Sequence, residues 1–397
     1  VVVVFAVVAV LARAWMAADP RGREQPAEHP ARRLLRLAFG LLWLVDGVLQ
    51  TQAAMPTGLP AGVVRPAKAG APSWARAVAD AGLGVWTHHP VTAAAATVWI
   101  QVGLGLLLLL APRGLPSRLA GAVSAGWALI VWVFGEVLGG IFTPAASWTF
   151  GLPGAALLYT VAGVAVALPE AVWDRGRFRR AAAPLLGLYL LAMAVVQAWP
   201  GRGSWRAGAG DPLASMARTM SATPQPAGLA GALRAFASFD AAHAVAVNAV
   251  VVAVLAAGGA LLIAGQRRMV AVAVAGVSVV ALADWVLVQD LGVLGGLGTD
   301  PNSMVPTVVL LAAAGVVAGR PVRADVPHPG GGPSAGRPTE PVLASSRRRP
   351  VAAAVATAAV AGVVLVGAVP MAVAAAGAAP ASVVGPSRPV GSTVPAR

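Results

Sequence analysis

Ten long apolar stretches, at 1–18, 37–55, 91–111, 119–141, 151–169, 183–199, 243–265, 269–290, 304–319 and 350–377, alternate with polar connections along this chain. Most approach the roughly 20 residues that cross a bilayer's hydrocarbon as a helix. Two of them end in the same unusual way. The run "WVFGEVLGG" (132–140) places Glu136 just before paired glycines, and "WVLVQDLGVLGG" (285–296) places Asp290 similarly. The first stretch is not a secretory signal, because its arginines (Arg13, Arg21, Arg23) follow the apolar run.

Composition sharpens this picture. The chain is 58% hydrophobic and 11% charged, with a mean hydropathy of +0.76, whereas soluble domains carry about 25% charged residues. We therefore expect an all-α integral membrane protein of about ten spans. The absence of cysteine excludes disulfides, thiolate metal sites and iron–sulfur clusters. The net charge of +14 comes from 28 Arg and one Lys against 15 acids. These basic residues are scattered between apolar runs, which argues against a nucleic-acid partner and leaves the lipid bilayer as the expected one.

Basic residues also set the orientation. Segments 13–36, 112–118, 170–182, 266–268 and 320–349 hold 20 of the 29 Lys and Arg, so these connections are expected on the cytoplasmic side of the plasma membrane. Both chain ends then lie outside. The stretch 320–349 reads as a flexible cytoplasmic linker and 378–397 as a disordered tail.

Polar residues recur at fixed offsets. His89 and His243 are 154 residues apart, as are Glu136 and Asp290, while Gln50 and Gln197 are 147 apart. This spacing predicts two tandem four-helix transmembrane repeats, 37–169 and 183–319, joined by the cytoplasmic connection 170–182. An N-terminal span with its connection (1–36) and a C-terminal helix (350–377) flank them. Four spans per repeat is an even number, so the copies share one orientation and should be related by a pseudo-two-fold axis along the membrane normal.

On this topology Gln50, His89 and Glu136, with Gln197, His243 and Asp290, fall at the outer ends of their spans. An imidazole near a carboxylate can bind a metal, relay a proton or hold a polar head group. A plainer reading stays open, in which the histidines start helices and the acids sit half hydrated among the head groups. Asp46 and Asp284 lie deeper and are expected to face the bundle interior. Asp300 and Asn302 in "TDPNS" (299–303) join the outer face. Segments 73–86 and 226–239 read as short helices lying over it. Met55, Met216, Met220 and Met304 fall on the same side and, with His, make copper a candidate ligand.

Four apolar spans with a long first outer loop, an interfacial helix and polar residues at the outer helix ends resemble the DoxX-like family, duplicated here over 37–319. That resemblance implies an association with quinone-linked membrane redox chemistry. The stretch 350–377 is similar to the anchor preceding an extracytoplasmic Sco/SenC-type copper chaperone domain, which would make the chain a shortened version of such a fusion. The expected function is an accessory or binding component of respiratory or cell-envelope redox processes, serving a membrane partner and holding a lipid, quinone or metal at the outer face. A proton-coupled transporter or a quinone-linked oxidoreductase is the alternative.

Overall fold

The computed structural model describes residues 28–319, apart from Pro112 and Gly295; the stretches expected to span at 1–18 and 350–377 lie outside the described residues. Every regular element among the described residues is helical. The principal helices are α1 (Pro30–Leu49), α2 (Ser73–His88), α3 (Pro90–Leu110), α4 (Gly114–Ile130, continued by a π turn Val131–Gly135) and α5 (Ala155–Ala167). The second half adds α6 (Gly176–Ala198), α7 (Pro212–Ser221), α8 (Ala227–Ala264), α9 (Arg267–Leu287) and α10 (Met304–Gly319). Five of them, α3, α4 with its π turn, α6, α8 and α9, are long and apolar enough to cross a membrane.

Two helix boundaries differ from expectation for identifiable reasons. α1 begins at residue 30 instead of 37, because the His29 side chain caps it by accepting from the Ala31 amide and Pro30 fits the first turn. α4 with its π turn stops at 135 instead of 141, because Val137 to Gly140 all adopt positive φ. Segments 73–86 and 226–239 are helical, as their composition suggested.

Eight of these helices, all but α2 and α7, pack as two four-membered rings. In the first, α1 contacts α3, α3 contacts α4, α4 contacts α5 and α5 returns to α1. In the second, α6, α8, α9 and α10 make the same cycle, and α10 also packs on α1. Glycine sets the closest approaches. A Cβ added to Gly105 of α3 would lie 2.8 Å from the Gly40 carbonyl oxygen of α1 and 2.8 Å from Leu44. One added to Gly259 of α8 would lie 2.8 Å from the Gly187 carbonyl oxygen of α6 and 2.8 Å from Leu191. Gly40 and Gly187 are 147 residues apart, as are Leu44 and Leu191; Gly105 and Gly259 are 154 apart. Small residues at a crossing let backbones touch, and such packing drives helix association where lipid removes the hydrophobic force.

At the opposite end from Glu136, buried arginines cap the helix ends. Arg32 donates from Nε (3.1 Å) and Nη2 (2.8 Å) to the Val166 carbonyl at the end of α5, and from Nη2 to Ser117 Oγ (2.9 Å) on α4. Arg36 donates to the Leu108 carbonyl at the end of α3 (2.6 Å), and both guanidiniums pair with Glu28 at 2.9 Å. Helix C-terminal carbonyls have no partner within the helix, so a cation supplied by a neighbour satisfies them and complements the helix dipole.

The crossings make a direct prediction. Gly105→Val or Gly259→Val should each lower the thermal stability of the purified protein, by about 1–3 kcal/mol as overpacking usually does. Gly84→Ala, where an added Cβ meets nothing within 4 Å, should leave it unchanged. Equal melting temperatures for all three variants would show that the crossings do not set the packing.

Candidate functional site

The ends of α4 and α9 turn in nearly the same way, and this determines where their polar residues go. Glu136 follows α4 with φ −90° and ψ −3°, and Gln289 follows α9 with φ −90° and ψ −1°. The first three residues after each have closely matching positive φ: Val137 (50°), Leu138 (60°) and Gly139 (70°), against Asp290 (50°), Leu291 (61°) and Gly292 (69°), with Gly140 (68°) extending the first run by one. Backbone geometry therefore matches Glu136 with Gln289, and the expected equivalence of Glu136 with Asp290 is off by one residue. A left-handed conformation is costly for a β-branched residue such as Val137 and persists only where its surroundings enforce it. Here Gly139 packs against the Pro153 carbonyl and Gly292 against Asp300 and Pro301, leaving no room for a side chain.

This turn carries Glu136 to the start of α5. Its Oε1 accepts from the Ala156 amide at 3.0 Å, a helix N-terminus being a natural seat for an anion. Its other oxygen lies against Gly154, and Glu136 borders a half-open cavity of about 460 Å³ within the first ring. α1, α3, α4 and α5 form the walls; Leu59–Val64 and α2 cover it. The polar lining is Asp46 and Gln50 from α1, Thr97 and Gln101 from α3, Glu136, and Tyr159 from α5, whose hydroxyl lies beside Asp46. Thr299 and Asp300 complete it from the loop between α9 and α10, in the other half of the molecule.

The chemistry of this lining is one-sided. Among the described residues, no Lys, Arg or His lines the cavity. Within the lining, the acceptors Asp46 Oδ1, Gln50 Oε1, Gln101 Oε1 and Glu136 Oε2 are buried without a hydrogen-bond partner, as are Trp127 Nε1 and Tyr159 Oη. Leaving a buried polar atom unsatisfied costs about 1–3 kcal/mol, so the residues lining the cavity carry a standing cost. Asp300 is better held: Thr299 Oγ1 donates to it at 2.8 Å and the Asn302 amide at 2.7 Å. Burial nevertheless pushes its carboxyl above the usual range, with these two bonds pulling the other way.

The corresponding slot in the second ring is closed. Gln197 stands where Gln50 does, but it donates to Asn248 Oδ1 at 2.9 Å and accepts from the Thr149 amide at 3.3 Å. Thr149 belongs to the α4–α5 loop, and its neighbour Trp148 is buried in the second core. Each half thus lends a loop to the other's mouth. The remaining space, about 10 Å³ between Asp211, Asp240, Asn248 and Gln197, is no more than a single water needs.

The histidines are not part of this arrangement. His89 and His243 are exposed, and each sits at the break between an outer helix and the spanning helix that follows, with φ of −137° and −129°. His243 stacks on Phe239 at 4.6 Å with Nδ1 2.9 Å from that residue's carbonyl. Among the described residues, no hydrogen bond or ion pair joins either imidazole to a carboxylate. Asp290 is fully buried elsewhere, beside Thr223 and Gln225. Burial raises its carboxyl, and those two neighbours partly offset the effect. Asp284 is buried and accepts from Gln289 Nε2 at 2.9 Å. The expected six-residue constellation is therefore divided: Gln50 and Glu136 share the cavity, Gln197 is sealed in a polar network, Asp290 lies in a separate loop, and both histidines face outward. Met55 and Met304 are buried in separate cores, and no group of three or more His, Asp or Glu among the described residues could hold a metal ion.

Sequence reasoning did not find Thr97 and Gln101. Both stand in the apolar run of α3 four residues apart, hence on one helix face, and that spacing was the available signal. It also missed the paired acids Asp211 and Asp240, which lie far apart in sequence.

The fold is that of a helical membrane protein with an acid-lined, half-open cavity. Comparison with protein-family models, curated proteins and solved structures finds no match to this chain.

Asp240, which precedes the break in α8 and so lies outside its spanning part, generates a pH prediction. Burial, and then the neighbouring Asp211, raise its carboxyl from 3.8 to about 7. Folding thus favours the protonated form, so this group's contribution falls as pH rises from about 4 and its full cost is present above about 7. Asp240→Asn should raise the melting temperature at pH 8, and the gain should shrink towards pH 4. A gain independent of pH would remove the carboxyl pair as its cause.

Proposed function

We propose that this chain is a multi-pass plasma-membrane protein built from two tandem four-helix units of DoxX-like architecture, 37–169 and 183–319. In this reading the first unit is a binding module for an amphiphilic small molecule and the second is its structural partner. The observation that carries the reading is the 460 Å³ cavity, whose mostly apolar lining includes four buried acceptors without partners. A largely apolar pocket of about 300–1,000 Å³ with a few convergent polar groups is the usual form of a small-molecule site. A ligand with an apolar body and a hydrogen-bonding head satisfies both parts of it. Free lipids and isoprenoid quinones have this form, and a respiratory or envelope protein would be the recipient.

Duplication is supported by the recurrence of the ring contacts and glycine crossings at offsets of 147 and 154, and by the repeated turn after α4 and α9. The apolar stretches 1–18 and 350–377 would bring the number of spans to ten. The arginine-rich connections, 170–182 among them, would be cytoplasmic.

Two measurements test this reading. The purified protein should carry one small amphiphile, identifiable by extraction and mass spectrometry, and Thr97→Phe, which fills the cavity, should lose it while retaining its fold. Equal recovery from both proteins would place the molecule elsewhere. For orientation, Asp174→Cys should resist an impermeant thiol reagent in intact cells and Gly228→Cys should react, both positions being exposed. The reverse pattern would invert the topology.

A further inference from the structure

We propose that the head group received by this cavity is an organic cation, an amine or ammonium on an apolar body. The inference rests on the binding reading above and adds the charge of the ligand. Three carboxyls from three different elements line one space: Asp46 on α1, Glu136 after α4 and Asp300 on the α9–α10 loop. Among the described residues no basic side chain lines it to neutralise them. The ion pairs of those residues all involve other acids: Glu28, Glu170 and Asp80. Asp46 is 2% exposed with Oδ1 unpartnered, and Gln50 and Gln101, 6% and 4% exposed, each leave their amide oxygen unpartnered. Trp127 Nε1 and Tyr159 Oη in the same lining are also unpartnered, but acceptors outnumber them, and an ammonium supplies N–H donors and positive charge to the carboxyl side together.

The apolar lining fits the same ligand. Trp43, Trp86, Trp127, Phe134 and Tyr159 all border the cavity. The N–H groups of Trp43 and Trp86 are committed to Ser124 Oγ and the Pro56 carbonyl, each at 2.8 Å, which fixes their rings in place. Trp43 and Tyr159 meet edge to face at 4.8 Å. Aromatic faces attract a cation through the ring quadrupole, most strongly where water is excluded. A metal ion fits less well, because these acids are not grouped as metal ligands. A zwitterionic lipid head would bring a phosphate against three carboxyls, so the source favoured is a free amphiphilic amine.

The test is titration calorimetry of the full chain in lipid nanodiscs with 4-phenylbutylammonium, its neutral analogue 4-phenylbutanol, and a phosphocholine with a short acyl chain. The expected result is that the ammonium binds at least tenfold more tightly than the alcohol or the phosphocholine. Asp46→Asn and Asp300→Asn should each reduce that advantage several-fold in protein that still unfolds cooperatively, while Gly84→Ala, outside the lining, should leave it unchanged. Asp300, being on a loop, keeps the test available if Asp46→Asn fails to fold. Equal binding of alcohol and ammonium would overturn the cationic head and leave the amphiphile site standing. Preference for the phosphocholine would overturn it in favour of a lipid. If no probe binds and the purified protein carries no amphiphile, both this inference and the binding reading fall.

Discussion

Backbone-to-backbone contact at glycine is the constraint on which the rest of the structure depends. Where Gly40 meets Gly105, and Gly187 meets Gly259, two helices come too close for any side chain to intervene. In lipid, where helices gain nothing by hiding apolar surface from one another, that closeness is what dispersion and packing require. Once the crossing is fixed, so is the splay of the helix pair towards its far end. Gln50 and Gln197 then face the interior of their own rings, and the arginines at the near end meet the carbonyls of helices that the crossing has brought within reach.

The same frame has two outcomes. In one ring the interior holds a cavity bordered by large aromatic rings and by polar groups without partners. In the other, Thr149 and Asn248 complete the hydrogen bonds of Gln197 and the space closes. The space left beside this network is about 10 Å³, against about 460 Å³ in the first ring. Glu136 belongs to both features: one oxygen seats the start of α5, and the residue borders the chamber.

Much of the fold was legible in the sequence, because apolar length and charge placement are properties of single segments. The eight spans expected between 37 and 319 all correspond to helices, and the breaks at His89 and His243 fall where polar residues interrupt apolar runs. The candidate site was legible only in part. Gln50, Glu136 and the inward position of Asp46 followed from their setting. The partnership of histidine with acid did not hold, since a shared offset reports shared position in a fold and says nothing about proximity. The one-residue error at Asp290 has a related cause: alignment by charge chose the acid, whereas the backbone turn selects Gln289. Thr97, Gln101 and Tyr159 needed the packing of three helices before their common destination was visible.

Asp300 reaches the chamber from a loop that belongs to the other half of the chain, and the α4–α5 loop returns the exchange. Neither half is therefore a finished object by itself. A fragment holding one half alone would lose the loop that the other half supplies, so the lining of the chamber is a property of the whole chain and not of either bundle.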